Sequence, residues 1–392
     1  MRPGFRGRGG LPASPRGAGG CGADAGGRRR LSGGRAFAGS AEGFGGRMMS
    51  RPMALPGEAL TTVLRRWGLA LQRGVSLARF TTARIGGPAD ALVIVEEVPA
   101  LAEVVRAAWA DGIPVTLLGG GSNVLVSDRG VRGLVVVNRA RDLRFERDGR
   151  VWAASGAALS TLARLCAERG WAGLEWGVGI PGTVGGAVVG NAGAHGGDIA
   201  GCLESVELLL PEGEVVTWPA AQLELGYRTS RLKAWPHPRR PVVLAARFAL
   251  RPADPEVLLE RIAAFHAYRR RTQPGGASIG SMFRNPPGDY AGRLIEAAGL
   301  KGARCGGVVI SPLHANFFIN EGNGTAADVR ALMAEAQRRV WERFGVLLEP
   351  EIEMIGEWED ETADPCGGAL RREVGGARGE PPVGPVGHPG AG

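Results

Sequence analysis

Short apolar runs and helically spaced apolar residues alternate in the first half of the chain. A strand-like run begins at Ala89, and apolar residues then recur at helical spacing until Gly112 and Pro114 end the helix. A second run, at 114–118, leads directly into a glycine loop, and a third run follows at 133–138. This order predicts a βαβ-like unit that ends in a glycine loop.

The pattern changes after Arg251-Pro252, where helices become longer. The remaining predicted elements are a helix at 158–169, strands at 204–210 and 241–250, helices at 255–271, 290–298 and 326–344, and a strand at 346–355. Asp254-Pro255 is typical of a helix start, and Thr325 with Asp328 is typical of a capping box. We therefore place a domain boundary near 252 and predict an α+β fold.

Charge and glycine are concentrated at the two ends. Residues 1–53 contain ten Arg against one Asp and one Glu, together with 16 Gly, and 357–392 contain nine Gly and five Pro. Both ends are predicted to be disordered because they can bury little apolar surface. This leaves a domain at 54–251 and another at 252–356. The chain without 1–53 is electrically neutral, which argues against nucleic acid as a partner.

The other compositional signals concern the compartment. The five cysteines form no CxxC and no Cys/His cluster, so we predict no metal site and a reducing, cytoplasmic location. No apolar run is long enough for membrane insertion, and the N-terminus lacks the apolar region of a secretory signal. Its Arg-rich start resembles a transit peptide; alternatively, translation begins at Met48, Met49 or Met53. Only two lysines, Lys233 and Lys301, are available for Schiff-base chemistry.

Two glycine-rich segments suggest contact with a nucleotide. The first, at 119–123, offers consecutive backbone N–H groups that suit a pyrophosphate, although a tight turn between strands explains it equally well. In the second, 179–186 and 190–197, eight of 16 residues are Gly, so the segment cannot fill a core. Neither segment matches the Rossmann or P-loop signature, which favours a different nucleotide-binding fold. We expect His195 to lie on the loop surface.

Three further motifs contain candidate catalytic groups. Arg228 lies in GYRTS, and a guanidinium can hold a carboxylate through a planar fork. Ser281 lies in GSMFRNP, without the elbow of an acyl-transfer nucleophile. Glu349, Glu351 and Glu353 alternate with apolar residues and are expected on one strand face. A solvated surface Arg, a turn Ser and a charged edge strand are the respective structural alternatives.

Eight motifs together resemble those of the UDP-N-acetylenolpyruvoylglucosamine reductases. In chain order they are TTARIGGPAD (81–90), LGGGSNVLV (118–126), GIPGTVGGAVVGNAGAHGG (179–197), GYRTS (226–230), GSMFRNP (280–286), AGRLIEAAGLKG (291–302), HANFFIN (314–320) and LEPEIEMIG (348–356). The resemblance implies an FAD-binding domain of the p-cresol methylhydroxylase type, made of two subdomains, and a C-terminal substrate-binding domain. It also implies NADPH as co-substrate and an enolpyruvyl UDP-sugar as substrate, in peptidoglycan precursor synthesis.

The resemblance assigns roles by motif. Ser281 is implied as the proton donor, and Arg228 and Glu351 as the groups that stabilise the intermediate. The implied cofactor-binding residues are Gly119, Gly120, Gly121, Ser122, Asn123, Ile180, Pro181, Gly182, Gly185, Gly186, Asn191 and Gly193. The implied substrate-binding residues are Tyr227, Arg271 and Asn285.

This sequence departs from the family pattern at two places. Thr272 stands where the family usually has a Lys, so Arg271 or Arg270 would have to serve the diphosphate, and Arg284 stands in the serine loop where Lys is common. Only Tyr268 lies between the arginine and serine motifs, which resembles the subclass that lacks the tyrosine loop. The alternative functions are an FAD-dependent oxidase of the same flavin superfamily and a flavin-binding module without catalysis. We expect a monomer.

Overall fold

The computed structural model of the protein describes residues 56–236 and 239–358, so nearly all of the two predicted tails lies outside the described residues. The α-helices are α1 (Glu58–Arg66), α2 (Val98–Ala110), α3 (Leu159–Glu168), α4 (Val184–Gly190), α5 (Pro255–Thr272), α6 (Ala291–Ala297) and α7 (Ala326–Phe344). Single 3₁₀ turns occur at Leu77–Phe80, Glu175–Gly177, Ala220–Leu223 and Arg231–Ala234.

The strands are β1 (Gln72–Ser76), β2 (Pro88–Val95), β3 (Val115–Leu118), β4 (Val124–Val126), β5 (Val131–Asn138), β6 (Leu143–Phe145), β7 (Arg150–Ala154), β8 (Trp171–Ala172), β9 (Gly193–Ala194), β10 (Gly197–Asp198), β11 (Leu203–Leu209), β12 (Val215–Pro219), β13 (Val242–Ala249), β14 (Arg251–Pro252), β15 (Ala277–Ser281), β16 (Arg304–Cys305), β17 (Val308–Ile310), β18 (Phe317–Asn320) and β19 (Glu353–Ile355).

The first sheet has the strand order β1-β2-β5-β3, in which β2, β5 and β3 are parallel and β1 is antiparallel. Strand β5 is buried along almost its whole length, as expected for a central parallel strand with an apolar run. Helix α2 connects β2 to β3 and buries Leu101, Val104 and Val105 against this sheet. The connection delivers β3 to the edge of the sheet, where the first glycine loop begins.

The second sheet is antiparallel, with the order β12-β11-β13-β7-β6. Helices α3 and α4 contribute to its core, in which Leu162, Val188 and Phe248 are fully buried. The second glycine-rich segment therefore runs over the face of this sheet.

The C-terminal sheet, β15-β18-β17-β16, is antiparallel and packs against α6 and α7. Its core also includes Ala83, Ile85 and Leu125 from the N-terminal half. The Asp128 carboxylate accepts hydrogen bonds from the first two amides of α7, at 2.9 Å each. These contacts fix the C-terminal sheet against the strand that follows the first glycine loop.

Most of the predicted elements after residue 150 are confirmed, including the capping box. Thr325 and Asp328 exchange side-chain-to-backbone hydrogen bonds at the start of α7, and Gly345 ends that helix with a φ of 65°. Asp254 likewise accepts from the amide of Glu256 at the start of α5. Helix α1 and strands β1, β4, β6–β10, β12 and β14–β18 were not predicted. The domain boundary near 252 stays a prediction.

Two predictions about local structure were wrong. The segment 179–197 was expected to be a loop throughout, but Thr183 caps helix α4, whose apolar residues reach the core and outweigh its glycines. The strand expected at 346–355 is limited to β19, because Pro350 offers no N–H to a sheet. The three glutamates consequently do not share one face: the side chain of Glu349 is 70% exposed and that of Glu351 is 16% exposed.

Candidate active site

The first glycine loop, residues 119–123, joins β3 to β4 and leaves its amides unpaired. None of its five backbone N–H groups donates a hydrogen bond to an acceptor within the described residues. Gly121 has a φ of +60°, and a Cβ there would lie 2.0 Å from the Phe80 carbonyl oxygen. Glycine is therefore required for the loop to pack, and the loop presents a row of free donors of the kind that binds anions.

The two glycine loops touch each other. The Ser122 hydroxyl donates to the Pro181 carbonyl at 3.0 Å, and a Cβ at Gly182 would lie 2.8 Å from the same hydroxyl oxygen. A Cβ on Gly120 would lie 3.0 Å from the Gly182 Cα, and one on Gly119 would lie 2.5 Å from Thr183 Oγ1. Side chains here would force the loops apart, so the glycines allow the loops to form one continuous surface.

Helix α4 follows the second loop and presents glycines on opposite sides. Gly185 faces the protein: its amide donates to the Ser155 carbonyl at 2.8 Å, and a Cβ would lie 2.9 Å from the Ser155 Cβ. Gly186 and Gly190 face outward, and a Cβ would meet nothing nearer than Thr183 Oγ1 at 3.7 Å, or nothing within 4 Å, respectively. The outward face of α4 is thus flat and open, as the contact surface of a planar cofactor would be. Unpaired amides beside a bare helix face fit FAD.

Asn191 and Gly193 hold the backbone together after α4. Asn191 is buried in the left-handed conformation, and its side chain donates to the Gly226 carbonyl at 2.8 Å and accepts from the amide of Ala200. Gly193 pairs with Asp198 between β9 and β10, and a Cβ would lie 2.7 Å from the Asp198 Cβ. Asn191 therefore ties the second glycine segment to the arginine motif.

Arg228 lies in a tight turn, which Gly226 and Thr229 close by exchanging backbone hydrogen bonds of 3.1 and 3.2 Å. The φ of Arg228 is 56°, which is uncommon for a residue with a side chain. Its Nε lies 2.8 Å from Glu351 Oε1, but the N–H is not aligned with that oxygen, so the contact is a charge pair without a hydrogen bond. Tyr227 is 59% exposed. The turn therefore aims the guanidinium at the carboxylate and leaves the tyrosine in solvent.

Ser281 ends β15 and lies beside Glu351 through backbone pairing. The Glu351 amide donates to the Met282 carbonyl at 2.9 Å, and the next residue, Phe283, forms an antiparallel bridge with Pro350. The buried side chain of Asn316 pairs with both the amide and the carbonyl of Phe283, at 3.0 and 2.8 Å. The Ser281 hydroxyl makes no hydrogen bond within the described residues, so it is available to a ligand.

Charged groups surround the paired backbone segments that carry Ser281 and Glu351. A cavity of about 380 Å³ is lined by Thr229, Ser230, Lys233, Ala234, Arg284 and residues 350–353. Burial raises the pKa of the Glu351 carboxyl, and the nearby cations, Arg228 first, oppose that rise. Burial lowers the pKa of the Lys233 ammonium, which lies in the same cavity.

Several of these charged groups were not predicted from the sequence to belong to the site. Arg240 binds both oxygens of Glu353, at 2.8 and 3.0 Å. Arg284 and Lys233 donate to the Arg228 carbonyl, at 3.4 and 3.2 Å. The sequence could have pointed to Lys233, because lysine is rare in this chain. It could not have pointed to Arg240, because arginine is abundant.

The other predicted substrate-binding residues lie on exposed surfaces. Arg271 is exposed near the end of α5, with its guanidinium 5.7 Å from the ring of Tyr268. Asn285 accepts a hydrogen bond from the first amide of α6, at 3.1 Å. His195 is exposed, as predicted, and stacks on Phe265 of α5 at 4.1 Å. Arg271 thus contacts Tyr268, whose ring in turn meets His195 of the second glycine segment edge-on at 5.6 Å.

The described residues offer neither a helix that could span a membrane nor a cluster that could bind a metal. No helix in residues 56–236 and 239–358 is both long enough and apolar enough to cross a membrane. Over the same residues, no group of three or more His, Cys, Asp or Glu could hold a metal ion.

Comparison with known families identifies both halves of the chain. Residues 89–218 match the family described as FAD binding domain, and residues 272–355 match the family described as UDP-N-acetylenolpyruvoylglucosamine reductase, C-terminal domain. The fold and the glycine loops therefore define an FAD-dependent oxidoreductase.

Individual relatives identify the particular family. UDP-N-acetylenolpyruvoylglucosamine reductase of Chloroflexus aggregans is 45% identical over 73% of this chain and 98% of its own length, and that of Rubrobacter xylanophilus is 48% identical over 72% and 94%. The crystal structure of the enzyme from Thermus caldophilus is 38% identical, covers 73% of this chain and 99% of its own, and superposes with a TM-score of 0.63. The chain belongs to the UDP-N-acetylenolpyruvoylglucosamine reductase family, and its activity is the FAD- and NADPH-dependent reduction of peptidoglycan precursor synthesis. The predicted family, α+β fold, cofactors and enzyme class are confirmed.

Proposed function

We propose that Arg228, Ser281 and Glu351 carry out the substrate half of the reaction, in which UDP-N-acetylglucosamine enolpyruvate becomes UDP-N-acetylmuramate. The observation that supports this is their convergence from three separate motifs. Arg228 contacts Glu351 at 2.8 Å, and Glu351 is backbone-paired to the residue after Ser281. A cation, a carboxyl group and a free hydroxyl are the groups that an enolpyruvyl carboxylate requires.

The two glycine loops and the outward face of α4 are assigned to FAD. The free amides of 119–123 suit the pyrophosphate, and the bare face at Gly186 and Gly190 suits the flat ring system. When bound there, FAD would supply the hydride-transfer chemistry between NADPH and the enolpyruvyl substrate. Gly185, Asn191 and Gly193 serve the same site indirectly, because they set the path of the backbone around it.

The Arg228 guanidinium stabilises the negative charge that develops on the substrate carboxylate as hydride arrives. Glu351 assists in its protonated form, which donates a hydrogen bond to the carboxylate, and the burial that raises its pKa favours that form. Ser281 delivers the proton to the carbon next to the carboxylate. Its hydroxyl has no competing partner within the described residues, so it can align with that carbon.

The UDP end of the substrate is assigned to Tyr227, Asn285 and Arg271. Arg271 takes the diphosphate contact that a Lys at position 272 would otherwise provide. With Tyr268 as the only tyrosine between the arginine and serine motifs, we place the chain in the subclass without the tyrosine loop. The proposal also includes the division into domains at 54–251 and 252–356, a cytoplasmic location and a monomeric state.

Stopped-flow measurement of the two half-reactions tests the role of Ser281. Ser281→Ala should leave flavin reduction by NADPH near the wild-type rate and slow flavin reoxidation by the enolpyruvyl substrate by about 10²–10⁴-fold, the usual contribution of a positioned proton donor. Ser281→Cys should fall between, because a thiol can still donate a proton. Ser278→Ala, on the same strand, is the matched control and should behave as wild type.

Three outcomes would contradict the proposal. Equal slowing of both half-reactions by Ser281→Ala would make the serine structural. No slowing would mean that another group or water supplies the proton. Fast reoxidation of the reduced wild-type enzyme by air without substrate would favour the oxidase alternative instead.

A further inference from the structure

The scarcity of lysine makes the two lysines informative. The chain has 47 Lys and Arg residues, of which only Lys233 and Lys301 are lysines. Lys301 forms an ion pair with Glu296 at 2.8 Å, and Lys233 lines the cavity beside Glu351. Because Arg serves almost every cationic position in this chain, a lysine in the cleft indicates a place where a compact ammonium fits and a planar guanidinium does not.

Lys233 contacts the backbone of Arg228. Its ammonium donates to the Arg228 carbonyl at 3.2 Å, and Arg284 donates to the same oxygen at 3.4 Å. Arg228 has a φ of 56°, so its peptide is held in a conformation that costs energy for a residue with a side chain. Two cations on one carbonyl oxygen stabilise that conformation from outside the turn.

The turn is also held from its other side. Asn191 donates to the Gly226 carbonyl at 2.8 Å, and the Ser230 hydroxyl donates to the Val189 carbonyl at 2.6 Å. Both partners belong to helix α4 or its cap. These bonds anchor the two ends of the turn, whereas Lys233 and Arg284 act on the residue that carries the guanidinium.

The charged groups that act on the Lys233 ammonium are Glu353, Arg284, Arg240 and Glu351. Glu353 is already bound by Arg240 through both carboxylate oxygens. Removing the Lys233 ammonium would take away one of the three cations that lower the pKa of Glu351.

We propose that Lys233 is a positioning residue for substrate reduction, whose ammonium fixes the Arg228 carbonyl so that the guanidinium stays beside Glu351 and within reach of the substrate carboxylate. The inference rests on the proposed function of Arg228 and Glu351. It gives Lys233 no contact with the reacting atoms. Its effect is confined to the half-reaction in which Arg228 meets the enolpyruvyl group.

The test uses the flavin-loaded enzyme and the variants Lys233→Met and Lys233→Arg, with Lys301→Met as the matched control. Lys233→Met should slow reoxidation by the enolpyruvyl substrate by about 10- to 100-fold, the usual effect of a misplaced catalytic group, and leave reduction by NADPH near wild type. In the pH dependence of the reoxidation rate, the limb that follows ionisation of Glu351 should move to higher pH, because one cation that lowers the pKa of Glu351 is lost. Lys233→Arg should restore the pH limb but only part of the rate. Lys301→Met should leave both half-reactions unchanged.

A double variant separates a positioning role from a merely structural one. Arg228→Met/Lys233→Met should reoxidise no more slowly than Arg228→Met alone, because Lys233 acts through Arg228. Additive losses, an unmoved pH limb, or equal slowing of both half-reactions would overturn the proposal. If Lys233→Met does not retain FAD, Lys233→Gln replaces it with the same expectations.

The failure of the underlying function has a different signature. If Arg228→Met and Glu351→Gln both reoxidise at the wild-type rate, the proposed function fails, and the inference about Lys233 fails with it. If Arg228→Met is slow while Lys233→Met is normal, only the role of Lys233 is refuted.

Discussion

The outward glycines of helix α4 provide a test of where the cofactor lies. Gly186 and Gly190 are four residues apart on one helix face, and a Cβ would have its nearest contact at 3.7 Å for Gly186 and none within 4 Å for Gly190. Nothing in the described chain therefore requires glycine at either position. Glycine in a helix is less stable than alanine by about 0.5–1 kcal/mol, so we infer that these positions are kept bare for the flavin.

Gly186→Ala and Gly190→Ala should have opposite effects on the apoprotein and on cofactor binding. Each should raise the free energy of unfolding of the apoprotein by roughly 0.5–1 kcal/mol, because the methyl group enters open space. Each should weaken FAD binding by about 1–3 kcal/mol, the usual cost of an extra methyl group in a packed contact, or roughly 5- to 150-fold in Kd.

Gly185→Ala is the matched control on the opposite face. Its Cβ would lie 2.9 Å from the Ser155 Cβ, so it should destabilise the apoprotein and lose FAD only as a consequence. Thermal unfolding of the apoprotein and titration with FAD by flavin fluorescence measure the two effects separately. An unchanged Kd in both outward variants would show that the flavin does not contact this face, and a lower apoprotein Tm would show that the space is not open.

Further predictions concern the ends of the chain, the buried carboxyl and the serine strand. A chain trimmed to residues 54–357 should fold, bind FAD and retain activity; loss of FAD binding would contradict this. Because burial raises the pKa of Glu351, the protein loses stability as pH rises through that value. Glu351→Gln should therefore melt no lower than wild type in mildly alkaline buffer, with the difference shrinking toward acid; a lower Tm would mean that the ion pair with Arg228 dominates. Asn316→Ala removes two buried hydrogen bonds to Phe283 and should cost roughly 2–4 kcal/mol in urea unfolding; a loss under about 1 kcal/mol would show that these bonds are replaced.

The sequence predicted the elements whose signals are local. Asp254-Pro255 and the Thr325–Asp328 pair specify helix starts through contacts within one turn, and both occur as predicted. The period-two pattern of 348–354 was misleading, because periodicity does not register that Pro350 lacks an N–H. The glycines of 179–197 predicted a loop where a helix occurs, because the buried apolar residues of α4 determine its conformation.

The site was predictable as a set of motifs but not as a geometry. Nothing in the sequence indicates that Asn191 holds the Gly226 carbonyl, or that Gly185 faces Ser155 while Gly186 faces outward. These relations depend on backbone direction and on contacts between distant segments. The left-handed conformation of Arg228 is a further example, since only the assembled turn imposes it.

The parallel pairing of β19 with β4 has a consequence for synthesis of the protein. Glu353 pairs with Val124, and the Glu353 amide donates to the carbonyl of Asn123, the last residue of the first glycine loop. The two partners are separated by more than two hundred residues, and contacts of such long range form late, after the intervening chain has closed on itself. A nascent chain on the ribosome therefore lacks the strand that pairs beside the first glycine loop until residues 353–355 have been translated. Chains terminated before these residues should emerge colourless, because the loop to which we assign FAD is then incomplete.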